Sequence, residues 1–187
     1  MNFNVSKCHL LHITNKRKPF ESTYSANSEV LTKIPQCDYL GVRCSETLRW
    51  GAHCLKVAAK ANKTLGLIRR TLKPCCSEVK ERAYKTLVRP TLEYASSSWN
   101  PYTDTDVNRL EQVQKNAARF VCNNYKSTTS TSSLVSSLGW DTLEHRHLLN
   151  QSVLFYKFHN GLVNNCQFPD SVMRSSSCKL TRSHNLT

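Results

Sequence analysis

No stretch of this chain approaches the roughly 20 consecutive apolar residues that a membrane-spanning helix needs, so no membrane partner is expected. Glycine is scarce, with five residues in 187, widely scattered and in no Walker or dinucleotide pattern. A glycine-rich loop cradling phosphates is therefore excluded. There is no G-x-S-x-G frame for a serine nucleophile. The nine cysteines contain no C-x-x-C. The nearest approaches to a metal half-site are Cys8 with His9 and His12, Cys75 with Cys76, and His145 with His147, and none has the paired spacing that lets two ligands close on one ion. Aspartate is equally sparse: Asp38, Asp104, Asp106, Asp141 and Asp170, with no doublet. Two-metal phosphoryl transfer needs clustered carboxylates to hold its cations, so no polymerase or nuclease chemistry is expected from this chain alone, and no cofactor.

The odd cysteine number and the placement of several on buried helix faces predict free thiols in a reducing compartment. Lys7, His9, His12 and Lys16 interrupt the first eighteen residues, leaving no apolar run for a signal peptide. A soluble intracellular protein, nuclear or cytoplasmic and not secreted, is the expectation.

What the chain has in excess is positive charge: 26 Lys and Arg against 13 Asp and Glu, a net of +13. Between Arg43 and Arg89 lie twelve Lys or Arg and three Glu, so nine of the thirteen net charges fall in a quarter of the length. Such an excess bears on partners rather than on fold, and phosphate backbones come first because each cation placed on one releases a condensed counterion. A merely solvated, solubilising face is the alternative.

The excess is also patterned. Trp50, Cys54, Val57, Ala61, Leu65, Ile68 and Leu72 recur at three- and four-residue steps, one stripe of a helix at 3.6 residues per turn. Arg49, Lys56, Lys60, Lys63 and Arg70 fall on the other side. The sequence thus predicts a helix over 47–72 with an apolar seam and an opposed cationic ridge.

Around it the expected fold class is mainly α, with a small N-terminal hairpin or three-stranded element, a helical bundle and a disordered C-terminal tail. Cys8 to Ile13, Val30-Leu31 and Tyr39 to Val42 are the strand candidates. Pro74 stops the first helix, and Ser77 is the expected N-cap of a second, which carries Val79, Ala83, Leu87, Leu92 and Ala95 inward and kinks or splits at Pro90 near Val88. A third helix, capped by Thr103 or Asp104, presents Val107, Leu110, Val113, Ala117 and Phe120 or Val121. After a Ser/Thr-rich connector, a short turn through Leu134, Val135 and Leu138 meets Gly139. Asp141 to Glu144 has capping-box spacing for a last helix ending at Asn160-Gly161. The segments divide as 1–44 (β), 45–125 (helical), 126–161 (helical extension) and 162–187 (tail).

Several strings in order then carry a resemblance: Asn4-Val5-Ser6-Lys7-Cys8, Tyr39-Leu40-Gly41-Val42 with Leu48 and Trp50, Ala58-Ala59-Lys60-Ala61-Asn62, Ala83 to Pro90, Leu92-Glu93-Tyr94-Ala95, Trp99 and Pro101. Leu110 to Gln114, Ala117 to Phe120, and Leu138-Gly139-Trp140 through His159-Asn160-Gly161 extend it over nearly the whole chain. Together they resemble the later part of the reverse transcriptase of non-LTR (LINE-type, jockey-like) retrotransposons, an RNA-directed DNA polymerase. The resemblance implies that residues 1–44 are the end of the palm, that Tyr39, Leu40, Gly41 and Val42 form the hairpin called the primer grip, and that the helices are thumb-like. It further implies that Lys7 lies near the incoming nucleotide, and that the aspartates holding Mg in the full-length enzyme belong to an upstream palm and fingers polypeptide. An RNA/DNA hybrid or duplex is then the expected partner. The residues alone also allow a helical protein-interaction module with an acidic partner, or a transposon relic without function.

Overall fold

The computed structural model describes residues 4, 7–18, 20 and 22–163; the expected tail, with Cys166 and Cys178, lies almost wholly outside them. The fold is mainly α with small β elements at the N-terminal end. In place of one hairpin or three-stranded piece there are three two-stranded ladders. β1 (His9–Leu10) pairs in parallel with β4 (Thr32–Lys33), β2 (Ser25–Ala26) with β3 (Glu29–Val30), and β5 (Gln36–Tyr39) antiparallel with β6 (Val42–Ser45). Most of these strands are two residues long and half open to solvent, so little apolar area is available to merge them into one sheet.

The first helix, α1, spans Gly51–Thr71, four residues later than its periodicity predicts at the start. The delay has a local cause. Leu48 takes a left-handed φ of 51°, and the Ser45 hydroxyl bridges to the backbone N–H and carbonyl of Arg49, closing a turn that the helix cannot enter. Arg49 therefore precedes the helix rather than riding on it. The seam itself is as predicted: Cys54, Val57, Ala61, Leu65 and Ile68 are buried, with Trp50 and Leu72 partly so.

Beyond Pro74 the chain helps itself to a less regular path. α2 (Ser77–Ala83) is followed without a break by a π-helical stretch, Tyr84–Val88, and by α3 (Arg89–Glu93). Its N-cap is Cys76 and not Ser77. Pro90 lacks an N–H and its ring crowds the carbonyl four residues back; the ladder widens to i→i+5 ahead of it instead of splitting. This changes which side chains point inward. The buried row is Lys80, Tyr84, Val88 and Leu92, whereas Val79 and Leu87 are exposed, contrary to expectation. Steps of four would drift by about 40° each around a regular α-helix. The wider π turns hold that row on one side.

α4 (Asp104–Val121) starts as predicted, with the Thr103 hydroxyl accepting from the Asp106 N–H, and buries Leu110, Val113, Ala117, Phe120 and Val121 against α1. α5 (Thr131–Ser137) ends at Gly139, whose φ of +64° suits glycine. α6 (Leu143–His159) is capped by Thr142, which accepts from the His145 N–H, so the cap falls one residue beyond Asp141. One apolar cluster joins Val42, α1, the 84–92 stretch, α4, Val135, Trp140 and Leu143.

Two aromatic assemblies lock this cluster. Tyr84 stacks on Trp140 at 4.5 Å and donates to Gln114 Oε1, while Gln114 donates to the Asp141 carbonyl and Trp140 to Glu81. Trp99 is held edge-to-face by His53 of α1 at 4.4 Å and His147 of α6 at 5.2 Å. Both histidines are 1 % exposed.

Candidate nucleic-acid interface

α1 is 21 residues long, about 32 Å at 1.5 Å per residue. Along its outer side Lys60, Lys63 and Arg70 are exposed, and no carboxylate pairs with them among the described residues. Exposed Arg49 continues the row from the preceding turn. Lys56 differs: it is half-buried and its Nζ lies 2.9 Å from Asp38 Oδ2. From Lys56 to Arg70 the row covers about 21 Å, roughly six base-pair steps of a duplex.

The hairpin formed by β5 and β6 sits at one end of this row. Tyr39 and Val42 pair across a two-residue turn in which Leu40 and Gly41 have φ of 46° and 86°, the positive pair that tight hairpins require. Glycine is the residue that enters this geometry without strain. Three contacts fix the hairpin to the helices. The Arg43 backbone N–H donates to His53 Nδ1, Asp38 receives both Arg43 and Lys56, and the Tyr94 hydroxyl donates to the Leu40 carbonyl at 3.0 Å. Arg43, then Lys56, hold the Asp38 carboxyl well below its ordinary range. Between hairpin and helix lies an open cavity of about 320 Å³ bordered by Gly41, Lys56, Lys60 and Tyr94. Tyr39 and Leu40 project from the tip, both largely exposed, while Val42 is buried beneath.

The predicted site residues thus divide. Tyr39 to Val42, Lys56 and Lys60 come together around the hairpin; Lys63 and Arg70 continue the row along α1. Lys7 is exposed in a turn ahead of β1, its N–H donating to the Asn4 carbonyl. Among the described residues no group of three or more His, Cys, Asp or Glu could hold a metal ion. The seven described cysteines are free thiols. No helix among the described residues is long and apolar enough to cross a membrane.

Sequence reasoning missed the far end of the row. There Arg69, Arg70 and Lys73 meet Lys80 and Tyr125 around a second open cavity of about 540 Å³. The cations are visible in the sequence, but Lys80 reads as a solvent-facing neighbour of an inward Val79. In the fold it is Lys80 of α2 that is buried and Val79 that is exposed.

Comparison of the chain with known protein families, curated proteins and solved structures finds no match.

Proposed function

We propose that this chain grips the sugar-phosphate backbone of a nucleic-acid duplex, an RNA/DNA hybrid in the first instance, as the thumb-like part of a non-LTR retrotransposon reverse transcriptase. It holds and does not catalyse; the chemistry would belong to an upstream palm carrying its own carboxylates. The observation behind this reading is the run of uncompensated cations Arg49, Lys60, Lys63 and Arg70 opposite a buried seam, with the Tyr39–Val42 hairpin docked at its head. Fixed cations on a rigid rod meet phosphates without ordering a loop, and each contact releases counterion. Lys56 serves a different role here, since its ammonium is engaged by Asp38, which it shares with Arg43: it fastens the hairpin to α1.

The test is a salt titration with a labelled RNA/DNA hybrid duplex. Four phosphate contacts give a log–log slope of about −3.6, a loss of roughly 150-fold between 50 and 200 mM salt. The double substitution Lys60→Gln/Lys63→Gln should flatten the slope by about 1.8. A slope unmoved by that change refutes the reading.

A second reading draws on α6, where Leu148, Leu149, Val153 and Tyr156 are exposed. Apolar residues clustered on an open helix suit a protein partner. Capture of a protein that survives nuclease treatment and is abolished by Leu149→Lys would favour it.

A further inference from the structure

The cavity at the C-terminal end of α1 has the makings of a specific site rather than a patch of surface charge. Lys80 is its floor. The residue is only 5 % exposed, lines the cavity, and has its Nζ 5.2 Å from the centre of the Phe120 ring. No carboxylate or carbonyl partner accompanies that ammonium among the described residues. The stem is covered while the ammonium keeps contact with solvent through the cavity, where an anion can meet it. The acids nearest along α2 are otherwise placed. Glu81 is bound to Lys85 and Trp140, and Glu78 shares a separate surface with Arg82 and Lys85.

The walls add cations and no compensating acid. Arg69 and Lys73 are exposed on the rim, and Arg70 lies along Gly66, where a side chain would fill space that the glycine leaves open. Tyr125, half exposed, forms the opposite rim, with the Arg69 guanidinium 5.5 Å from its ring centre. The segment carrying it is tied down, since Arg119 donates to the Lys126 carbonyl and the Lys126 N–H donates to Asn124 Oδ1. Some carbonyls at the end of α1 already have partners. Thr71 bonds those of Leu67 and Ile68, and the Cys75 N–H bonds that of Leu72.

A volume of about 540 Å³ exceeds what one inorganic anion fills and falls within the roughly 300–1,000 Å³ of small-molecule sites. The combination of guanidinium forks, an ammonium without a carboxylate and a half-exposed aromatic ring matches a phosphate ester joined to a planar base. We propose that this cavity is a binding site for one nucleotide unit, its phosphate held by Lys80 together with Arg69, Arg70 and Lys73 and its base against Tyr125. The unit is supplied either by a single-stranded nucleic acid or by a free nucleotide. The site extends the backbone-gripping reading to a second point of contact, and it stands on the cavity, not on the ridge.

Two probes and two sets of variants test it in the full chain. The probes are fluorescein-labelled dT12 and unlabelled ATP without metal. Arg69→Gln/Lys73→Gln changes only exposed side chains, and Lys80→Met keeps an unbranched stem in the buried position. The double variant should weaken dT12 binding roughly tenfold or more and reduce the salt slope by about 1.4, one 0.7 for each lost cation. Lys80→Met should act in the same direction with its melting temperature kept or raised, and if that variant does not fold the rim variant decides alone. Competition by ATP that is lost in the pocket variants assigns the site to a free or terminal nucleotide; dT12 binding that ATP does not displace, yet the variants weaken, assigns it to a strand. Both outcomes support the site. Wild-type affinity for both probes in the rim variant overturns it, whatever the ridge does. If instead Lys60→Gln/Lys63→Gln leaves duplex binding intact while the pocket variants lose dT12, the ridge reading fails and the pocket remains.

Discussion

Acidification should loosen this fold well above the range where carboxylates titrate, because His53 and His147 are both buried against Trp99. Burial lowers the pKa of each, first by desolvation; Lys56 adds to the effect at His53. At His53 the geometry agrees: Nδ1 already accepts the Arg43 N–H, so a proton there would face a donor. At His147 burial outweighs two opposing influences, the Leu92 carbonyl that accepts from Nε2 at 3.0 Å and the charge of Glu93, both of which favour the protonated ring. The sign follows from linkage. With folded values below the unfolded value of about 6.5, the unfolded chain binds more protons, so stability is full above that pH and falls as pH drops towards the folded values. In the limit that both rings stay neutral in the fold, each removes at most about 1.4 kcal/mol between pH 7.5 and 5.5, and the pair at most about 2.7 kcal/mol. Asp38 and Glu81, whose pKa values are lowered by their partners, contribute only at more acid pH, and Glu111, raised by burial, works in the opposite sense as it gains its proton. Urea denaturation followed by tryptophan fluorescence at pH 7.5, 6.5 and 5.5 measures the effect. The midpoint should fall with an unchanged m-value, and His147→Gln, which keeps a donor for the Leu92 carbonyl, should roughly halve the pH dependence whatever its effect at neutral pH. A midpoint flat from pH 7.5 to 5.5, or a full drop retained in both His147→Gln and His53→Gln, refutes the reasoning.

Glu93 joins α3 to α6 through paired contacts with Arg146, and Arg89 lies beside it. Glu93→Gln should lower stability by about 2 kcal/mol, a melting shift of roughly 4–8 °C by calorimetry, since it strands a partly buried guanidinium; a shift below 1 °C would show the pair to be idle. Tyr84→Phe leaves Gln114 Oε1 without its donor in the core and should cost about 1–2 kcal/mol in urea unfolding, while a double variant with Gln114→Met should recover part of that loss.

The seam of α1 was legible because its residues repeat on one stripe, and the caps at Thr103 and Gly139 because their chemistry is local. The interior of 77–93 was not. Val79 and Leu87 look like core to any reading at 3.6 residues per turn, and Pro90 announces a disturbance without saying whether the helix breaks or widens. That choice depends on Tyr84 finding Gln114 and Trp140, partners thirty and more residues away. The ridge was legible as a row of cations, but the separation of Lys56 from the others depends on the hairpin bringing Asp38 across. Arg49 fell outside the helix for a similar reason, since the turn at Ser45 to Leu48 is dictated by how the strand β6 leaves the hairpin. The cavity under Lys80 could have been suspected only from an unusually dense run of cations at 69–73 followed by one more at 80.

The clasp of Trp99 between His53 and His147 means that the earliest and latest helices meet on one indole. A polypeptide released from the ribosome before residue 147 has emerged lacks half of that keystone, so the hairpin beside α1 gains its final seat only when the last helix arrives. Closure of the indole clasp is thereby coupled to the arrival of residue 147.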